Sequence, residues 1–184
     1  MIIALVLLGI AAGAYAVILF FSPTLAHAFF VKPIPVSSLA KPSPSTNQLV
    51  IPKLGINLNY GTSASMLTQQ AQWRAAELGN PKDGGIMRLA AHRLSIQSTP
   101  QQTVAHSPFY ALDTLQNGDK VVVDYEGVRY GYEVTEVKLG ALSDTPLPEK
   151  SEDASLLVLY TYDSEDDASR TVVSAKSLGK VAVE

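Results

Sequence analysis

Apolar and polar positions alternate along this chain in short bursts, with one exception at the front. Met1 to Phe21 carries no charged side chain and ends at Ser22 and Pro23. A helix over that run is about 31 Å long, which matches a bilayer core of about 30 Å. The pattern predicts a transmembrane anchor over residues 1–22. Ala26-His27-Ala28 has the small-x-small form of a signal-peptide cleavage site. Against cleavage, the apolar run is longer than a signal core and no basic residue precedes it. An uncleaved anchor is therefore the expectation.

Residues 23–48 read as a linker. Val31 to Gln48 holds four prolines (Pro33, Pro35, Pro42, Pro44) and four serines (Ser37, Ser38, Ser43, Ser45). Such composition builds no core and is expected to be extended. The folded domain is expected over residues 49–184. Leu49–Ile51 and Ile56–Leu58 are short strand candidates, and Ser65–Ala75 fits a short helix capped by Ser63 or Ser65. Pro81, Gly84 and Gly85 mark a turn, and Ile86–His92 reads as a strand. Leu94–Ala105 is polar and reads as a loop. Ser107–Leu115 fits a helix with Phe109, Leu112 and Leu115 on one face. Lys120–Tyr125 and Val128–Val134 form a hairpin across Glu126-Gly127. In its second strand Val128, Tyr130, Tyr132 and Val134 face the core, and Arg129, Gly131, Glu133 and Thr135 face water. Gly140–Asp153 is a loop with Pro146 and Pro148. Leu156–Tyr160 and Val172-Val173 are buried strands on either side of a charged loop holding Asp163, Glu165, Asp166 and Asp167. About eight short strands with one or two short helices make an all-β barrel or sandwich.

Composition narrows the function classes. Hydrophobic residues are 47% and charged residues 17%, with much of that excess in the first segment. The net charge of −3, without a Lys/Arg cluster, argues against a nucleic-acid partner. The absence of cysteine excludes disulfides, thiolate metal sites and thiol catalysis. The acidic loop lacks the glycine-bearing pattern of a calcium loop, so it is expected to be a solvated tip and no metal is assigned.

Four motifs carry a resemblance. Ile51-Pro52-Lys53-Leu54-Gly55-Ile56 is similar to an Ile-Pro-x-Ile-x-Ile first strand. Ala90-Ala91-His92 is similar to an Ala-Gly-His strand end. Phe109, Leu112, Leu115, Gly118 and Asp119 match Phe-x-x-Leu-x-x-Leu-x-x-Gly-Asp. Leu159-Tyr160-Thr161-Tyr162, with Arg170 entering the next strand, resembles a Leu-x-Thr-Cys element followed by its Arg. Together they resemble the sortases, the cysteine transpeptidases of bacterial cell surfaces, over nearly all of Leu49 to Ala182. The resemblance implies a closed sortase-like β-barrel. It also implies a site in which His92 serves as proton donor and Arg170 steadies substrate or oxyanion, with Tyr162 at the position of the family Cys. Thr161 and Ala91 would line the peptide site. His27 and His106 are left as structural.

In that family a Cys attacks the Thr carbonyl of an LPxTG-like sorting signal, and an amine resolves the thioester. Tyr162 is a poor replacement. A phenol has a pKa near 10 against about 8.5 for a thiol, and its oxygen lies farther from the backbone. Thr161 and Ser164 are nearby hydroxyls, without a carboxylate pattern to orient His92 as their base. The expected protein is a membrane-anchored, inactive sortase relative that binds a sorting-signal-like peptide. Two alternatives stay open: catalysis by another nucleophile, and a Tyr162 codon standing one base from a native Cys codon. Lys32 and Lys41 follow the helix, which by the positive-inside rule would put the domain in the cytoplasm. The resemblance implies the opposite, a single-pass protein with its domain outside the cell membrane, and no cofactor. That orientation is the expectation adopted.

Overall fold

Leu156–Tyr160 is apolar at every position because its strand is covered on both faces. The computed structural model describes residues 2–30, 32–149, 155–161 and 169–182, with the backbone alone for 26–30. Among the described residues there are nine strands. They are β1 (Gln48–Ile51), β2 (Ile56–Gly61), β3 (Ala71–Arg74), β4 (Gly79–Asn80), β5 (Gly84–Ala91), β6 (Lys120–Tyr125), β7 (Val128–Ala141), β8 (Ser155–Thr161) and β9 (Ser169–Lys180). Neighbours run β3-β2-β1-β6-β7-β9-β8-β5-β4, and a further pairing of β3 with β5 closes eight of them into a barrel. The two-residue β4 pairs on β5 outside that ring. The closed barrel expected from the sequence is present. Its pairings are antiparallel except β2 with β3 and β5 with β8.

Alternation along β8 sorts the core into two clusters. Leu157 and Leu159 join Leu49, Met87, Val123, Tyr132 and Val173 inside the barrel. Leu156, Val158 and Tyr160 point the other way. They pack with Ile86, Ala90 and Val172 into a second cluster on the outer face. A strand buried on both faces has no polar side to show, which is why its pattern is a run rather than an alternation.

Helix α1 (Ile2–Phe30) is longer than the apolar run suggested, and Pro23 lies inside it. Proline removes the N–H that would bond the carbonyl four residues back. Here that carbonyl belongs to Leu19, and the Ser22 hydroxyl donates to it at 2.9 Å. The helix passes the proline without leaving that acceptor unmet. Ile2–Leu25 is long and apolar enough to cross a bilayer.

The segment after α1 does not stand free of the barrel. Ile34 N–H donates to Pro52 O at 2.9 Å, and Arg129 donates to Ala40 O at 2.7 Å. This arm changes one face of the β6–β7 hairpin. Arg129 and Gly131 were expected in water, yet both are buried. Arg129 forms a bidentate pair with Asp124, and a Cβ on Gly131 would come within 2.9 Å of Val181. The hairpin turn itself is as expected. Glu126 and Gly127 both have positive φ, the conformation of a tight two-residue turn.

Three local expectations are corrected. Ser65–Ala75 is not a helix: a 3-10 turn at Ala64–Thr68 is capped by Ser63, and the chain then enters β3. Closing the ring needs β3 between β2 and β5, and that pairing overrides local helix propensity. Leu94–Ala105 is not all loop. Its end forms helix α2 (Pro100–Ala105), with Thr99 as N-cap and Pro100 in the first turn. Ser107–Leu115 forms turns and a 3-10 segment at Leu112–Thr114, yet Phe109, Leu112 and Leu115 are buried as the spacing required.

Candidate functional site

The parallel pairing of β5 with β8 sets the site. Ala90 pairs with Tyr160 and Ala91 with Thr161, so both strands end at one rim. His92 follows β5 directly. β9 enters from the other side of β8, with Val172 opposite Tyr160, so Arg170 also stands at that rim. His92 and Arg170 therefore flank the end of β8. By alternation His92 shares the outer face with Ala90, and Arg170 shares it with Val172. Tyr162 lies outside the described residues, as do Ser164 and the acidic run 163–167.

Arg170 is half-buried and held by the segment after β7. Its Nε donates to Thr145 O at 2.8 Å and approaches Thr145 Oγ1 at 3.2 Å, and Nη2 also donates to Thr145 O. Thr145 is itself fixed through its hydroxyl to Ala141 O at 2.8 Å. Burial holds the Arg170 guanidinium below its ordinary pKa, and the Tyr160 phenol acts against that shift. It remains a cation at neutral pH.

His92 is half-buried, and its carbonyl accepts from Phe109 N–H at 3.0 Å. The segment after it is stitched to α2. Ser107 Oγ accepts from Ser95 N–H at 3.0 Å, and Thr103 Oγ1 accepts from Gln97 N–H at 2.9 Å. Ser107 and Thr103 are both buried. A polar sequence here makes an ordered wall because its hydroxyls satisfy backbone donors.

Thr161 is 3% exposed, and its Oγ1 accepts from Thr171 N–H at 3.0 Å. Ala91 belongs to the inner cluster. A chain laid on the outer face meets Ala90 and Tyr160, whose side chains point that way. His106 pairs with Gln69 at 3.0 Å.

The outer face is a floor with walls. Leu67, from the 3-10 turn before β3, packs on the second cluster from one side, and Leu147, from the segment after β7, packs on it too. Arg88 projects onto the same face as Ile86 and Ala90, and Arg74 is its direct partner across β3 and β5. Arg88 Nη2 donates to Pro148 O at 2.6 Å, tying that segment down. Burial pushes the Tyr160 phenol above its ordinary pKa, against opposing influences from Arg74, Arg88 and Arg170. Arg74, Arg88 and Tyr160 were not singled out in the sequence. The legible signal was Arg88, a charge in the middle of an otherwise apolar strand.

The family model described as Sortase domain matches residues 49–178. The chain belongs to the sortase family. Sortase E1 from Streptomyces coelicolor, solved with a tripeptide in the active site, is 22% identical at a TM-score of 0.56. The likeness covers 73% of this chain and 88% of that one. Sortase C from Streptococcus pneumoniae is 16% identical at a TM-score of 0.58, covering 92% of each chain. Sortase A from Corynebacterium diphtheriae is 18% identical at 0.56, covering 80% of this chain and 64% of that one. A search of the curated proteins found no match. At these identities the solved structures share the fold. Against the Leu-x-Thr-Cys pattern of sortases, β8 ends in Leu159-Tyr160-Thr161 followed by Tyr162, and the chain contains no cysteine.

Proposed function

We propose that this sortase-family protein binds a sorting-signal-like peptide on its outer face and does not carry out thiol transpeptidation. Residues 1–22 anchor it in the cell membrane, 23–48 link, and the barrel of 49–184 lies on the extracytoplasmic side. The observation that carries the proposal is a rim that keeps His92 and Arg170 in a chain without cysteine. Thiol catalysis needs a thiolate within reach of the scissile carbonyl. Tyr162 supplies at best a phenol, a far weaker nucleophile than a thiolate. Thr161 is no substitute, since its hydroxyl faces the interior and is committed to Thr171 N–H. With the nucleophile missing, His92 has no proton to exchange with it, and Arg170 is left as a cation for a bound backbone carbonyl.

The test is Tyr162→Cys. The wild-type protein is expected to bind an LPxTG-type peptide without cleaving it. The variant is expected to form an acyl adduct detectable by mass spectrometry, because it restores the one missing part. Wild-type cleavage that disappears in His92→Ala would overturn the proposal and favour catalysis by another nucleophile.

A further inference from the structure

The outer face carries three arginines, of which Arg74 donates to Gln72 Oε1 at 2.8 Å and Arg170 to Thr145 O at 2.8 Å. Arg74 and Arg88 are direct Cα partners on β3 and β5, and Arg170 stands at the rim of the same face. Like charges directly opposite across a strand pair are destabilising. In a chain of net charge −3 their placement on an apolar floor is not explained by surplus cations. Six ion pairs among the described residues engage Lys53, Lys82, Lys120, Arg129, Lys138 and Lys176, and none engages Arg88 or Arg170. Arg88 is satisfied only in part. Nη2 meets Pro148 O, while its Nε is buried with no hydrogen-bond partner. A buried donor of a charged group without an acceptor is costly, and guanidinium N–H groups are laid out to receive both oxygens of a carboxylate.

We propose that Arg88 recognises a carboxylate side chain of the bound peptide. It is a specificity subsite on the face that the rim residues overlook. The inference rests on the peptide-binding function proposed above. Its location follows from strand geometry. Arg88 precedes His92 by four residues on one face of an extended segment, about 13 Å along it. An extended peptide has the same rise, so the acidic residue stands about four positions from the residue level with His92. The apolar floor of Ala90 and Tyr160 between them takes small or apolar side chains. A displaced water or a free anion would not supply that spacing; a Glu or Asp in a peptide does.

The experiment uses the full chain in detergent micelles and fluorescein-labelled peptides carrying Leu-Pro-Ala-Thr-Gly. Each peptide holds one Glu, or the matching Gln, at successive positions from four to six residues before the Thr or two to six residues after it. Fluorescence polarisation is expected to show a Glu-over-Gln preference of roughly ten- to a hundredfold, peaking about four positions from the Thr on one side. In Arg88→Gln the ratio is expected to fall to about one. In Arg88→Lys, which keeps the charge and loses the fork, it is expected to recover only in part. Equal binding of Glu and Gln peptides at every position overturns this inference alone. No binding of any peptide overturns the peptide-binding function and this inference with it. The wild-type scan decides the matter even where a variant folds poorly.

Discussion

Asp124→Asn is expected to be among the most damaging single changes in the barrel that leave the rim untouched. Asp124 and Arg129 are direct partners across β6 and β7, linked by two bonds of 2.7 Å. Their side chains are 1% and 3% exposed. The same guanidinium donates to Ala40 O at 2.7 Å, so the pair also seats the arm that covers it. Removing the carboxylate leaves a buried cation facing neutral acceptors only, the amide oxygen at position 124 and Ala40 O. Breaking a buried pair in this way costs about 3–5 kcal/mol. For a domain of this size each kcal/mol moves the midpoint by about 4 °C, so the fall is about 12–20 °C. Replacing both partners with apolar residues, Asp124→Leu with Arg129→Met, removes the stranded charge and is expected to recover most of that loss. The assay is thermal unfolding of the full chain in detergent, followed by near-ultraviolet circular dichroism. A single variant that loses less than about 1 kcal/mol would refute the reasoning, because only a solvated pair is worth so little. It would mean that the arm does not cover the hairpin in solution.

Two further outcomes concern alkaline stability and topology. The Tyr60 phenol donates to Asp124 O at 3.1 Å, and burial pushes it far above its ordinary pKa, as it also raises Tyr132 and Tyr160. Unfolded tyrosines ionise near pH 10 while the folded ones keep their protons, so stability is intact below pH 10 and falls as pH rises above it, by up to about 1.4 kcal/mol per unit for Tyr60. Tyr60→Phe is expected to show a shallower loss between pH 10 and 12 in denaturant titrations, and curves parallel to wild type would refute the assignment. The protein is expected to sediment with membranes, and protease added to intact protoplasts is expected to digest the barrel; full protection would refute the outward orientation.

Much of the barrel was legible because its signals are local. Leu156–Tyr160 is apolar at every position since the strand is buried on both faces. Glu126-Gly127 supplies two positive φ angles, and Phe109, Leu112 and Leu115 keep a spacing that buries them whatever the backbone between them does. The candidate rim was legible only through resemblance, since His92 and Arg170 lie far apart in sequence. Their convergence depends on β5 and β9 both lying beside β8, which no local pattern records.

The sequence by itself determined where the apolar runs, turns and proline breaks fall, and that no thiol is present. Tertiary structure decided the rest. Ala71–Arg74 is a strand because the ring needs a partner for β5, and that pairing outweighs the few tenths of a kcal/mol per residue by which propensities differ. Arg129 sits on the alternate positions that period two assigns to water, and it is buried because a segment some ninety residues earlier crosses over it. Arg74 looks like an ordinary surface charge until β3 and β5 set it beside Arg88. Burial and charge environment are properties of everything that surrounds a side chain, and the chain supplies most of those surroundings from distant positions.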